Sequence, residues 1–597
     1  NKNNLLLLIK SISIKFPQIN KNIKMNGLRP SKTFLILLSI SICWQLSVVS
    51  SSPTTHDIAQ SAEVQSESEE QLPLLSPATP SEQQQQSADT LATTYCVENV
   101  EKDEVLLKQY VRDAKDWALA HGLVLPALPF RCKNEECKEA NKALNIVPAD
   151  VVKIAPFTLF PSPFPRELFV QAQKVHKAIQ LMYFRAASNF EFLKDVHKGL
   201  LKTDQNFIET FKSIESRHLE GIKQPLTLFC NRADYMASKV IDEETNEEKY
   251  VLKQVETNHG AMGGHGTSPR ITALHRRMLS IAGVDSSPSV VPENQTGKMF
   301  ATALYKAWEA FGNTEAVILF LHNPYRDYLL IEAREVQHDL EKIADGKVQC
   351  FFLTLKQAKE RLTFSDDSDS AILDNKYVVA VALSRYTAYA TPDEIVTARA
   401  LRRSNAIQVP SSVFILAQSK KMQQVFTNPG VVEKFFTGPD EAHLAAEVRK
   451  VLTRSWSIGE DEENAEQIIE MVKANPEKFV MKWNECGSRV GQTKFFGDKI
   501  PAKLESLSME EREKFFIMER LEPMVVKNHF VRPGTEVALN VNVTPELGIH
   551  GCVLGNILDG TVLEYFWPES QMKTKLAEEE EGGVMKGKSV FDSPYLV

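Results

Sequence analysis

The sequence predicts a mixed α/β body preceded by a leader and a flexible linker. Two observations predict the class: amphipathic helical stretches alternate with short apolar runs, and 597 residues with 43% hydrophobic content are enough to bury a large core. A third separates the body from what precedes it. Residues 52–94 are dominated by Ser, Thr, Pro, Glu and Gln, including Gln83 to Gln86, and hold too few large apolar groups to offset chain entropy.

Residues 1–24, rich in Asn, Lys and Ile, precede the first methionine, Met25, and read as upstream sequence without a structural role. Met25 begins a short basic region with Arg29 and Lys32, followed by an apolar run from Phe34 to Val49 and the small residues Ser50 to Ser52. That order predicts a secretory signal peptide over 25–51. Ser39, Ser41, Gln45 and Ser47 interrupt the run, which falls short of the about 20 apolar residues of a membrane span. The expectation is a secreted chain with no membrane association once the leader is removed, a disordered linker over 52–94 and a folded body over 95–597.

Order should begin near Glu104, where Leu107, Tyr110, Val111, Ala114, Trp117 and Ala118 recur on one helical face before Gly122. Further on, Val317–Leu321, Tyr377–Leu383, Phe479–Met481 and Phe515–Met518 have the length and composition of buried strands. Sixty-nine basic against 77 acidic side chains leave a net charge of −8 and no basic stripe, which excludes nucleic acid as a partner. Eight cysteines without a Cys-x-x-Cys pair exclude a disulfide framework and a zinc-ribbon site. Cys132 and Cys137 are spaced either to close a small loop or to remain two thiols. Asn294-Gln-Thr296 and Asn542-Val-Thr544 match the glycosylation acceptor pattern.

The usual signatures of P-loop nucleotide binding, zinc proteolysis and serine hydrolysis are absent, so the chemistry lies in scattered positions. Glu256 and Asn258 stand two apart at a strand end, where both project from one face, either into solvent or as oxygen ligands for Mg²⁺. Lys478-Phe-Val-Met-Lys482 places a lysine at the end of a buried strand before a loop with Gly487, Gly491 and Gly497. Such a loop serves as a plain turn or as a phosphate cradle. His259 and His265 fit no zinc spacing, and the glycines around them predict a turn.

Longer fragments then follow one another in a consistent order. They include Ala155-Pro-Phe-Thr-Leu-Phe-Pro-Ser162, Asn231-Arg232-Ala-Asp234-Tyr235-Met236 and Leu252-Lys-Gln-Val-Glu256-Thr-Asn258. After them come His275-Arg276, Lys420-Lys421-Met-Gln423-Gln424, Met518-Glu519-Arg-Leu-Glu522-Pro523, Arg532-Pro533-Gly534 and Glu546-Leu547-Gly548-Ile549, and the chain closes with Gly582-Gly583-Val584 through Pro594-Tyr595-Leu-Val597. In these stretches the sequence resembles the eukaryotic glutathione synthetases over residues 104–597.

The resemblance implies an ATP-grasp fold with a substrate-binding subdomain at about 290–415, a lid around 478–500 and 570–590, and a homodimer. It implies a carboxylate–amine ligase that joins γ-glutamylcysteine to glycine with ATP as co-substrate and Mg²⁺ as cofactor. Lys482, Arg232 and Lys573 then take catalytic roles. ATP contacts fall to Glu256, Lys420, Lys482, Met518, Glu519, Arg520, Leu521, Glu546, Lys575 and Glu581. Substrate contacts fall to Arg232, Gly260, Ala261, Met262, Gly263, Arg385, Tyr386, Lys573, Val584 and Met585, and metal ligation to Glu256, Asn258 and Glu485.

Several positions depart from that pattern. A family loop Lys-Pro-Gln-Arg-Glu-Gly-Gly-Gly-Asn-Asn is replaced by Lys482-Trp-Asn-Glu485-Cys-Gly-Ser-Arg-Val-Gly-Gln-Thr493, about three residues longer and without the glycine triplet. Side chains at Ser488 and Val490 obstruct a backbone approach to phosphate, with Arg489 or Lys494 available as substitute charge. The serine hydroxyls after Asn258 become His259-Gly-Ala-Met-Gly263, an Arg-Asp-Gly-Tyr becomes Leu383-Ser-Arg385-Tyr386, and Arg-Thr-Lys becomes Lys573-Thr574-Lys575. Lysine cannot reproduce an arginine fork. Two functions follow as expectations: a ligase with changed specificity or reduced canonical activity, or an inactive secreted binding or effector-like protein on the same scaffold.

Overall fold

The computed structural model describes residues 103–126 and 151–597, apart from 243, 261–262, 323–327, 367–368, 385–390, 460–461, 485–493 and 535–538. The leader, the linker, Cys132 and Cys137 lie outside the described residues. So do Ala261, Met262, Arg385, Tyr386 and Glu485.

The first described helix, α1 (Glu104–Ala120), forms where the apolar period places it. Asp103 caps it through the Val105 and Leu106 amides, and Leu107, Val111, Ala114 and Ala118 are its buried stripe. Helix α2 (Arg166–Ser188) is apolar over most of its circumference and is correspondingly buried. A long antiparallel hairpin follows, β1 (Leu226–Ile241) and β2 (Glu248–His259), and then helices α3 (Thr267–Ile281) and α4 (Thr296–Phe311). The next section supplies parallel strands β3 (Val317–Leu321), β4 (Cys350–Leu353), β5 (Tyr377–Ser384) and β6 (Ile407–Val409). The apolar runs at 317–321 and 377–383 are therefore strands, buried on both faces as crossover-linked parallel strands require.

Short helix α5 (Lys420–Phe426) precedes a separate four-stranded antiparallel sheet made of β7 (Ser455–Ser457), β8 (Phe479–Trp483), β9 (Lys494–Phe496) and β10 (Phe515–Glu519), in the order β7-β10-β8-β9. Phe479, Met481, Phe515 and Ile517 share one core with Ile469, Val472, Ile500 and Leu504 from the flanking helices. The alternate residues Val480, Phe516 and Met518 form a small cluster on the other face, the face that also carries Lys482.

Strands β11 (Val526–Val531), β12 (Leu539–Asn556), β13 (Thr561–Leu576) and β14 (Ser589–Asp592) return to the main sheet, which has 13 strands among the described residues. At its centre β12 lies between β1 and β13, antiparallel to both. Alternation along β1 and β12 divides two cores. Phe229, Ala233, Tyr235, Leu547, Ile549 and Val553 face α2, whereas Leu228, Cys230, Cys552 and Leu554 face α4. The α4 face continues along the same strands into Arg232, Asp234, Glu546, Gly548 and His550.

One irregularity decides which residues of β2 join that face. Asp234 pairs with Glu256 but Tyr235 pairs with Gln254, so Val255 is an extra residue in β2, a β-bulge. Before it, Leu252 packs into the α2 core; after it, Glu256 and Asn258 stand opposite Asp234 and Arg232. An unbroken alternation would keep Leu252 and Glu256 on one side.

Strand β14 is tied to its surroundings by a buried carboxylate as well as by its ladder. Asp592 is buried and accepts from the hydroxyls of Thr158 (2.7 Å), Ser162 (2.5 Å) and Thr574 (2.5 Å) and from the Ser593 amide (2.7 Å).

Candidate active site

The site is built on the sheet face described above, with Asp234 at its hub. Its side chain is fully buried, and its two oxygens accept from Arg232 Nε at 2.6 Å and Nη2 at 2.9 Å, Asn258 Nδ2 at 3.1 Å and Lys573 Nζ at 3.3 Å. Burial would raise its pKa, but Arg232 and Lys573 outweigh burial and keep it below the usual carboxylate range. Lys573 also pairs with Glu546 at 2.8 Å. Burial disfavours the Lys573 charge, yet Asp234 and Glu546 hold its pKa above the ordinary lysine value.

Gly548 makes this geometry possible. It lies opposite Asp234 in the β1–β12 ladder, and a Cβ there would fall 2.8 Å from Asp234 Oδ1 and 2.9 Å from Arg232 Cδ. The ion pair therefore rests directly on the β12 backbone.

Beside the hub, Asn258 Nδ2 reaches Glu256 Oε1 at 3.3 Å, and Lys420 Nζ reaches Glu256 Oε2 at 2.6 Å. Lys420 is the first residue of α5, oriented by the cap that Ser419 makes to the Met422 amide. Burial opposes ionisation of Glu256, but Lys420, Lys494 and Lys573 hold its carboxyl well below the usual range. The Glu256 side chain keeps 20% exposure, so its charge faces open space.

The four-stranded sheet contributes Lys482. Its ammonium is 3.0 Å from Met518 Sδ and 3.4 Å from the carbonyl of Val255, the bulged residue. Lys494 is its register partner on β9. Burial, then Lys494 and Lys420, draw the Lys482 amine well below the usual lysine range, against the pull of Glu256 and Glu546. Lys575 is lowered too, by burial and by Lys494 against Glu546, and donates to the carbonyls of Glu579 and Glu580. Lysines gathered this closely, with Lys482 and Lys575 both depressed, are what a protein shows where an anion is needed to balance them.

The structure thus joins Arg232, Glu256, Asn258, Lys420, Lys482, Glu546 and Lys573 in one neighbourhood. Other expected positions sit at its margins. Glu519 pairs with Arg454 at 3.1 Å, Arg520 lies over the Phe496 ring, and Glu581 pairs with Lys586 at 3.2 Å. Gly260 follows β2 with a left-handed φ of 62°. Gly263 lies in the turn before α3; Leu521 and Val584 are half-buried, and Met585 is exposed.

Among the described residues no three His, Cys, Asp or Glu side chains converge as a metal cluster. His259 packs its ring edge-on to Tyr183 and Phe229, and His265 stacks on Phe300. Glu256 and Asn258 nonetheless offer hard oxygen donors with one ionised carboxylate, which suits Mg²⁺, and the Lys420 ammonium now neutralises that carboxylate.

Sequence reasoning named Arg232 but passed over Asp234 and Gly548, and kept Lys494 only as spare charge. The signal was present: Arg232-x-Asp234 and Glu256-x-Asn258 are both two-residue spacings on strands of one hairpin, which places all four side chains on one face.

A carboxylate–lysine network on a large sheet, faced by a lysine from a small antiparallel sheet, is the arrangement of an ATP-grasp protein. Residues 104–596 match the model of the eukaryotic glutathione synthase ATP-binding domain, and the chain belongs to that family. It is 29% identical to glutathione synthetase of Rattus norvegicus over 499 residues, 83% of this chain and 98% of the relative. It is 30% identical to the chloroplastic enzyme of Arabidopsis thaliana, over 83% of this chain and 86% of that one. A solved glutathione synthetase-like effector from Globodera pallida, in its apo form, superposes with a TM-score of 0.68 at 40% identity, covering 84% of this chain and all of that one.

Proposed function

We propose that the protein is an ATP-dependent carboxylate–amine ligase whose pocket has changed specificity relative to the synthesis of glutathione from γ-glutamylcysteine and glycine. The observation that carries this reading is the convergence of Lys420, Lys482 and Glu256 beside the Arg232–Asp234–Lys573 network. It puts phosphate-balancing charge next to carboxylate-binding charge.

In this reading Lys420, Lys482 and Lys575 bind the nucleotide phosphates, and Met518 to Leu521 border the base. The side-on edge of Arg232 is already engaged by Asp234, so a substrate carboxylate takes the remaining Nη1 edge. Lys573 supplies a point charge beside it. Glu256 and Asn258, with Glu485, hold Mg²⁺, which when bound neutralises phosphate charge. The segments 478–500 and 570–590 act as a lid that excludes water, since an activated acyl group would otherwise hydrolyse. The substrate subdomain spans about 290–415, and the chain works as a secreted homodimer.

A second reading has its own support: the 40% identical solved neighbour is an effector. On that reading the scaffold binds without ligating. The test is ADP release and product mass across amino-acid and thiol-peptide pairs, run beside thermal shifts with Mg²⁺-ATP. Nucleotide stabilisation with turnover on a pair other than γ-glutamylcysteine and glycine supports the ligase. Robust turnover on that pair refutes changed specificity, and neither stabilisation nor turnover favours the binding scaffold.

A further inference from the structure

Cys230 on β1 and Cys552 on β12 are directly opposed in the ladder, both are buried, and neither is in a disulfide. Their sulfurs lie 2.7 Å apart. Directly opposed residues of an antiparallel pair have Cα atoms about 4.5–5.5 Å apart, inside the about 4.4–6.8 Å window that a disulfide spans. The pair sits on the same sheet face as the site, one alternation from the Arg232–His550 rung. Two opposed cysteines on neighbouring strands are a built site, because the backbone register alone brings them together.

We propose that Cys230 and Cys552 form a cross-strand disulfide when the chain folds under oxidising conditions, and that this bond locks the β1–β12 register on which the site depends. A one-residue slip of that register would turn Arg232 and Asp234 away from Gly548 and His550. Both thiols are shielded once the sheet has closed, so oxidation takes place during folding by exchange with a small disulfide such as oxidised glutathione. One thiolate attacks the reagent, giving a mixed disulfide and releasing one reduced thiol. The second thiolate then displaces the other reagent sulfur, so two protein thiols lose two protons and two electrons, and one reagent disulfide becomes two thiols.

The experiment folds the full chain in a buffer of oxidised and reduced glutathione, and in parallel with reduced thiol alone. Each sample is denatured in alkylating reagent and its peptides are mapped without reduction. The expected result is a linked peptide joining Cys230 to Cys552 only in the oxidising sample, about 2 Da below the sum of its reduced halves. That sample should also melt several degrees higher, and Cys552→Ala should shrink the difference between the two conditions. Quantitative alkylation of both cysteines after oxidative folding, or linkage of Cys230 to another cysteine, overturns the proposal. A redox-dependent melting shift unchanged in Cys552→Ala overturns the register-locking role. None of these readouts uses ligase activity or secretion, so failure here leaves the proposed function untouched.

Discussion

Gly548→Ala is the sharpest probe of the hub. The added Cβ would meet Asp234 Oδ1 at 2.8 Å and Arg232 Cδ at 2.9 Å, both inside normal contact. Neither neighbour can swing away freely. The Asp234 carboxylate is held by Arg232, Asn258 and Lys573, and retreat means lengthening those bonds inside a closed site. Overpacking of this kind costs about 1–3 kcal/mol. An unfolding entropy of about 2.1 cal/mol/K per residue makes that a fall of roughly 1–3 °C in Tm for a body of about 490 residues. The more telling readout is Mg²⁺-ATP binding by calorimetry, because a displaced Asp234 also releases Lys573 and Asn258, and affinity should drop by about tenfold or more if the loss reaches ~1.4 kcal/mol. Asp234→Ala removes the atom that clashes, so adding Gly548→Ala in that background should cost less than in the wild type. Equal costs in the two backgrounds, or a wild-type Tm and affinity in Gly548→Ala, would refute the argument that the glycine exists to seat the ion pair.

Other outcomes follow from the same electrostatics. Lys482 is depressed in the free protein and a bound phosphate should raise it, so nucleotide binding should take up protons and tighten as pH falls through the window between the two values. Calorimetry in buffers of different ionisation enthalpy checks this, and zero uptake would count against a phosphate at Lys482. Glu256→Gln removes the partner of Lys420 and the ionised metal donor, so thermal stabilisation by Mg²⁺-ATP, about 2.7 kcal/mol at 100 times Kd for the wild type, should be lost while the apo protein still folds. Burial pushes Glu569 up to about 7, above an unfolded value of roughly 4.3. Its contribution to stability is therefore full below about pH 4.3 and lost progressively as pH rises to 7; Glu569→Gln should melt higher than wild type at pH 8 and alike at pH 4 or below, a difference on the order of 2 kcal/mol. Asp592→Ala strands three buried hydroxyls and should cost at least about 3 kcal/mol, read as a Tm loss far beyond that of a surface aspartate such as Asp393.

Much of this architecture could be read from residue order because local and global signals agree. The stripe Leu107, Val111, Ala114 and Ala118 is a helix face in the structure, and the runs at 317–321, 377–383, 479–481 and 515–518 are strands. At the site, Glu256 and Asn258 were legible because strand alternation is a local property. Asp234 was not, since its importance comes from partners up to 339 positions away, which no window of sequence displays. Lys494 became meaningful only when β9 paired with β8 and set it opposite Lys482. The bulge was invisible for a related reason: Val255 is an ordinary strand residue, and its misfit exists only against the count of residues in β1.

That one supernumerary residue acts as a phase shifter. Ahead of Val255 the hairpin's second strand sends Leu252 into hydrocarbon, and after it the same strand delivers Glu256 to the charged cluster, while the Val255 carbonyl meets Lys482. Deleting Val255 would leave Leu252 and Glu256 three residues apart, an odd spacing that still sends them to opposite faces, but it would take away the carbonyl that Lys482 reaches. Engineers grafting new pockets onto this scaffold should therefore treat its length between Leu252 and Glu256 as fixed, and vary side chains only.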